Sequence, residues 1–324
     1  MKVKDLGEFG LIDRIAARAH TGPGVLLGIG DDCAGLAPTP GTVTLITSDM
    51  LLEGVHFDLS FTDPRTLGRK SLAVNLSDVA SMGGVPRQFL LGIALPKEAS
   101  LEFMDPFVFG MLEMAERYGA VLVGGDTCSS KGGVAISITA LGEQIPGRIL
   151  KRSGAAAGDL VFVTGTVGDA AAGLAQLRRG ERSGRLVQRQ LDPTPRVEAG
   201  VALAEGGVVS AMIDVSDGVL ADLGHICDLS AVGARLELSR LPLSGEYRAF
   251  CGDDPYSLAL SGGEDYELLF TAPSAHEREV LAIVEGVGLS CTVIGEIVEG
   301  KGIELVGPGG EPYAVSGKGF DHFG

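Results

Sequence analysis

Short apolar runs that stop at an aspartate or a glycine pair recur along this chain. Eight aspartates occupy such positions: Asp31, Asp32, Asp49, Asp78, Asp126, Asp214, Asp217 and Asp265. Runs of this length suit strands, and stretches of helical period lie between them, so the pattern confines the chain to α/β (α+β) architectures. A carboxylate beside glycine at a strand end stands where ligands collect in open sheets and the backbone is uncovered. Carboxylates crowded together repel unless a cation fills the space, and oxygen donors without Cys or His favour Mg²⁺ or Ca²⁺ over zinc. The first expectation is a magnesium-phosphate site.

At 324 residues and 45% hydrophobic content the chain can bury two full-sized cores. Its 49 glycines follow no collagen period and point to tight turns and close backbone approaches. Forty-two acids against 26 bases give a formal charge of -16. That argues against nucleic-acid and anionic-membrane surfaces, which need clustered Lys and Arg, and leaves anionic small substrates possible only with metal. Cys33, Cys128, Cys227, Cys251 and Cys291 form no Cys-x-x-Cys pair, so reduced, mostly buried thiols are expected. Asp5, Glu8 and Asp13 stand where a signal peptide needs an apolar stretch, and no run approaches the ~20 residues of a membrane span, so a cytoplasmic protein is expected.

The spacing of Leu11, Ile12, Ile15 and Ala16 predicts a helix over 9–20, followed by strands over 25–29 and 42–47 with a loop at 30–41. Asp63-Pro64 reads as N-cap and first helical residue, and Gly83-Gly84 as the stop, so Asp78 falls in that helix's last turns. A strand near 89–95, a helix over 101–118 and strands over 121–123 and 134–141 follow, the last two joined by a loop at 124–133. The hydrophobic pattern lapses at 148–158, which divides the chain into domains 1–149 and 150–324. The second half predicts strand 160–164, helix 169–179, strand 211–214, helix 218–229 and strand 266–271.

Gly28-Ile29-Gly30-Asp31-Asp32 lacks the third glycine and following helix of a dinucleotide fingerprint. It reads as a solvated turn or as a loop that brings carboxylates to metal-bound phosphate. Thr47-Ser48-Asp49 offers three oxygen ligands in a row at a strand end. Asp214-Val215-Ser216-Asp217-Gly218 sets two acids and a hydroxyl between a strand and a helix. Ser216 or Asp217 can cap that helix, and Ser216 with the amides beyond it can hold nucleotide while Asp214 holds metal. Gly124-Gly125-Asp126 has the small residues that admit a phosphate chain. Of five scattered histidines, His56 alone follows the Asp49 cluster closely enough to join it, and Arg152 can meet a phosphate. No nucleophilic triad, Walker lysine or protein-kinase signature is evident.

Several stretches recur in a fixed order from end to end. They are Glu8-Phe9-Gly10-Leu11-Ile12, Gly28-Ile29-Gly30-Asp31-Asp32, Ser48-Asp49 with Gly54-Val55-His56-Phe57, Ala73-Val74-Asn75-Leu76-Ser77-Asp78, and Gly124-Gly125-Asp126-Thr127. Arg152-Ser153-Gly154, Asp214-Val215-Ser216-Asp217-Gly218, Ser261-Gly262-Gly263-Glu264-Asp265-Tyr266-Glu267-Leu268 and Lys318-Gly319-Phe320-Asp321-His322-Phe323 complete the set. Together they resemble the thiamine-monophosphate kinase family. The resemblance implies the two-domain fold shared with aminoimidazole ribonucleotide synthetase, with an N-terminal domain that forms a β-barrel on dimerisation and a C-terminal α/β domain. It implies a homodimer that binds ATP, thiamine monophosphate and several Mg²⁺ ions and transfers phosphate directly to give thiamine diphosphate.

By position, Asp32, Thr47, Ser48, Asp49, Asp78, Asp126, Asp214 and Asp217 match the family's metal ligands. Phe109, Gly125, Asp126, Arg152 and Ser216 match nucleotide contacts, while His56, Glu264 and Phe320 match the thiamine side. A substrate phosphate with a second pKa of ~6 is already ionised near neutral pH, so no general base is expected. The obstacle is charge repulsion, which metal held by aspartates relieves. The family's C-terminal aromatic pair is reduced here to Phe320 in a chain without Trp, a loss expected to weaken substrate binding by ~0.5–1.5 kcal/mol. Two competing readings are a non-catalytic metal- or nucleotide-binding module and another ATP-dependent synthetase of the same superfamily.

Overall fold

The computed structural model describes residues 1–315, so Phe320 lies outside the described residues. The chain divides into two compact units, one of residues 1–79 and 84–146, the other of residues 80–83 and 147 onward. Among the described residues no helix is long and apolar enough to cross a membrane.

The first unit runs α1 (Val3–Ala16), β1 (Val25–Leu27), β2 (Gly35–Leu36), β3 (Val43–Leu52), α2 (Pro64–Ser81), β4 (Val85–Pro96), α3 (Leu101–Tyr118), β5 (Val121–Ser130) and β6 (Ala135–Gln144). Its four long strands form a sheet in the order β3-β6-β4-β5, antiparallel except for β4 with β5. Alternation sorts the faces: Leu45, Leu51, Phe89, Leu91, Ile93, Ile136 and Ile138 are buried, while Ile46, Met50 and Leu52 on the other face of β3 are exposed. Asp63 accepts the Thr66 N–H at 3.1 Å, the expected cap of α2. Helices α2 and α3 meet backbone to backbone. A Cβ on Gly68 would lie 1.9 Å from the Phe107 carbonyl oxygen, and one on Gly110 would lie 2.0 Å from that of Arg65.

Three expectations are corrected here. Helix α1 begins at Val3, with the Lys2 N–H bonded to Asp5, and ends at Ala16; the apolar spacing marked only its buried face, Leu11 and Ile15. Strand β3 continues past residue 47 because every residue to Leu52 pairs with β6. Strand β5 continues through the expected loop at 124–130, paired in parallel with β4. Gly125 permits that pairing: its φ is 155°, and a Cβ there would lie 1.9 Å from the Leu91 carbonyl oxygen.

The second unit contains β7 (Asp159–Thr164), α4 (Asp169–Arg178), α5 (Arg185–Leu191), α6 (Val197–Gly206), β8 (Ala211–Asp214), α7 (Val219–Ser230) and β9 (Gly233–Glu237). It continues with α8 (Gly245–Cys251), α9 (Ser257–Ser261), β10 (Leu268–Pro273), α10 (Glu277–Gly286), β11 (Cys291–Val298) and β12 (Gly302–Val306). The sheet order is β12-β9-β11-β7-β10-β8, with only β12 and β9 parallel. Both faces are covered. Val161 and Val163 join Ile213, Leu223, Ile226 and Leu269 on one side; Phe162 joins Met212, Phe270, Leu203 and Val280 on the other. Phe162 and Phe270 stack with centroids 5.2 Å apart. Double burial explains why these strands read as continuous apolar runs although the sheet is mostly antiparallel.

Candidate functional site

In the first unit, Thr47 and Asp49 occupy the buried face of β3, between Leu45 and Leu51. The Thr47 hydroxyl donates to the Asp78 carboxylate near the end of α2. The Asp49 N–H donates to Asn75 Oδ1 at 3.1 Å, one helical turn earlier. Burial, and then the neighbouring Asp78 charge, push the Asp49 carboxyl up to about 6. Ser48 points the other way, its hydroxyl within 3.2 Å of the Ile138 carbonyl and 3.1 Å of Thr139 Oγ1. The three oxygens expected in a row are therefore split across a strand, two on one face and one on the other.

The remaining residues proposed in this unit stand on other elements. Asp31 and Asp32 are exposed between β1 and β2, and Asp126 is exposed on β5 opposite Gly92. His56 sits in the turn after β3, where its Nδ1 accepts the Leu52 N–H at 2.9 Å. Phe109 is 51% exposed on α3, with the Arg65 guanidinium 4.9 Å over one ring face and Arg65 itself paired to Glu113 at 2.6 Å. That arrangement leaves the opposite ring face for stacking.

In the second unit, β8 ends on buried Asp214, and a short loop leads to α7 through Gly218. Neither Ser216 nor Asp217 caps the helix; Gly218 is the N-cap and has no side-chain cap. The carboxylate of Asp222 takes that part instead, with Oδ2 accepting the N–H groups of Ser216, Asp217 and Gly218 at 3.1, 3.2 and 3.1 Å. Burial, then the charges of Asp214 and Asp217, push the Asp222 carboxyl up to about 8 against the pull of these bonds. Arg152 is exposed, next to Lys151, whose carbonyl accepts the Met212 N–H of edge strand β8 at 2.8 Å.

Glu264 and Tyr266 hold left-handed backbone, with φ of 68° and 50°, and the Glu264 carboxylate accepts from the Gln190 amide. Asp265, one of the recurrent aspartates, is structural. It is 1% exposed and caps α4 by accepting the N–H groups of Gly168 and Ala170 at 2.5 and 3.1 Å. Glu267 is fully buried between Arg189, at 2.8 Å, and Arg196, and it also accepts from Thr164 Oγ1 at 2.7 Å. Among the described residues no three His, Cys, Asp or Glu side chains lie together as a ready metal cage. The cysteines are free, but only Cys227 is buried; Cys33 and Cys128 are exposed, against the expectation of mostly buried thiols.

Two family models match the chain: AIR synthase related protein, N-terminal domain, over residues 30–144, and AIR synthase related protein, C-terminal domain, over residues 156–307. Fold and sequence thus define a two-domain, mixed α/β protein of the AIR synthase related class. The thiamine-monophosphate kinase of Salmonella typhimurium is 41% identical over 328 residues, 98% of each chain. The solved thiamine-monophosphate kinase of Stenotrophomonas maltophilia K279a is 40% identical with a TM-score of 0.85, covering 95% of this chain and 98% of that one. AaThiL, solved complexed with AMPPCP and TMP, is 36% identical with a TM-score of 0.78, covering 100% and 99%. The chain belongs to the thiamine-monophosphate kinase family.

Proposed function

We propose that this protein transfers the γ-phosphoryl group of ATP to thiamine monophosphate, giving thiamine diphosphate and ADP. The observation that carries this reading is likeness along the whole chain to thiamine-monophosphate kinases, one of them solved with an ATP analogue and TMP. The donor set fits Mg²⁺. Asp49 and Asp78 are like charges in partly buried surroundings, and Asp78 accepts from the Thr47 hydroxyl, a further oxygen donor. Asp32, Thr47, Ser48, Asp49, Asp78 and Asp126 in the first unit, and Asp214 and Asp217 in the second, are the proposed ligands.

When bound, Mg²⁺ supplies neutralisation of phosphate charge and polarisation of the transferred group. The chain's own residues do the holding. Thr47 and Asp49 stand on a strand with ten backbone pairings, which fixes their oxygens against a rigid helix. Gly125, with Phe109, Asp126, Arg152 and Ser216, is proposed on the nucleotide side, and His56 and Glu264 on the thiamine side together with Phe320. The acceptor phosphate is ionised above its pKa of ~6, so no residue is assigned as general base.

The open sheet face of the first unit supports a homodimer in which two such sheets close into a barrel. Ile46 is 69% and Met50 59% exposed there beside Leu52, and a second copy of the same face is the occupant that removes all of them from water. We assign the dimer contacts and ATP and metal binding to the domain of residues 1–149, the α/β domain, with the further proposed ligands Asp214 and Asp217, to residues 150–324, and the whole to the cytoplasm. Thermal shift tests the ligand side: ATP with Mg²⁺ should raise the Tm well beyond either alone. A rise with Ca²⁺ alone that ATP does not extend would favour a module with structural metal.

A further inference from the structure

We infer that Asp222 is a positioning residue: it locks the loop that carries Asp214, Ser216 and Asp217 with its backbone turned inward, so that the loop serves a ligand through side chains alone. The inference rests on the assignment of those three residues to metal and nucleotide. Every backbone donor from Val215 to Gly218 is committed within the protein. The Val215 N–H goes to the Glu267 carbonyl at 2.8 Å, and the next three go to Asp222 Oδ2. In return, the carbonyls of Val215 and Ser216 accept the N–H groups of Tyr266 and Glu264 at 2.9 and 2.8 Å. Gly263 closes this seam, since a Cβ there would lie 2.3 Å from the Ser216 carbonyl oxygen.

A helix N-terminus ordinarily offers such N–H groups to a bound anion. Here the buried carboxyl of Asp222, 1% exposed, already holds the N–H groups of Ser216, Asp217 and Gly218, so a phosphate would have to displace it from them. What the loop retains for ligands is the half-buried side chains of Ser216 and Asp217 beside buried Asp214. Their placement is set by one acceptor oxygen on the first turn of α7. The requirement is thus for an acceptor at residue 222 and not for its charge as a ligand.

Two measurements test this on the full chain. Amide hydrogen exchange of the unliganded protein should show slow exchange at Ser216, Asp217 and Gly218, whereas exchange as fast as at exposed loop amides would overturn the lock. Calorimetric titration of ATP at fixed Mg²⁺ should give a Kd raised by about tenfold or more in Asp222→Ala and largely restored in Asp222→Asn, which keeps an acceptor oxygen. Asp222→Asn as weak as Asp222→Ala, or Asp222→Ala binding like wild type at a lowered Tm, would overturn the inference. Wild type that fails to bind ATP with Mg²⁺ would instead count against the proposed function, and the exchange measurement would still decide the lock.

Discussion

Asp49 shows how a single residue carries both a cost and a use. Its carboxyl is raised to about 6 by burial and Asp78, against ~3.9 in an unfolded chain. The folded protein therefore keeps a proton that the unfolded chain releases, and stability falls as pH rises through that window. Asp49→Asn is expected to raise the Tm of the metal-free protein by a few degrees above pH ~6, with the gain vanishing below pH ~4. An equal gain at both ends would contradict this. With Mg²⁺ and ATP the order should reverse, because the ligand oxygen is gone. Glu267 gives a second prediction. Glu267→Gln removes the buried carboxylate that Arg189 and Arg196 share and should cost ~3–5 kcal/mol in urea unfolding; a loss well under that range would mean the pair of arginines relaxes to solvent. Asp49 and Asp214 were legible in the sequence because acids at the ends of apolar runs are unusual. Asp222 and Glu267 were not, since one looks like an ordinary first-turn acid and the other depends on an arginine 78 positions away.

At the scale of elements, the α2–α3 crossing is set by glycine. Gly68→Ala drives a methyl toward the Phe107 carbonyl and should destabilise by ~1–3 kcal/mol or more. Gly224→Ala, in α7 with nothing within 4 Å of a new Cβ, should stabilise by ~0.8–1.0 kcal/mol. Chemical denaturation of both variants checks the contrast, and similar changes in the two would show that backbone approach does not set the crossing. Elements with end signals were readable: Asp63-Pro64 opens α2, and α3 and β8 have the predicted bounds. The extension of β5 was not, because Gly124-Gly125-Asp126 has turn chemistry and becomes strand only by pairing with β4. Helices α5 and α9, of seven and five residues, are too short to display a period. Gly295 falls at a register shift that interrupts the alternation of β11.

For the whole molecule, the lapse in hydrophobic pattern at 148–158 follows residue 147, where the second compact unit resumes, whereas strand direction left no mark in the sequence. Both sheets are mainly antiparallel, so the rule that ligands gather at the ends of parallel strands does not locate this site, and Thr47, Asp49 and Asp126 lie within strands. The uncovered face of β3 predicts an assembly. Ile46→Glu or Met50→Glu should convert a dimer to monomers in light scattering with the fold retained by circular dichroism; unchanged dimers would place the contact elsewhere. The most direct test of the central claim is chromatographic product analysis after incubation with ATP, Mg²⁺ and thiamine monophosphate, with thiamine and a metal-free sample as controls. Thiamine diphosphate formed only from the monophosphate and only with Mg²⁺ is the predicted result, and no thiamine diphosphate from a sample that binds ATP with Mg²⁺ would contradict it.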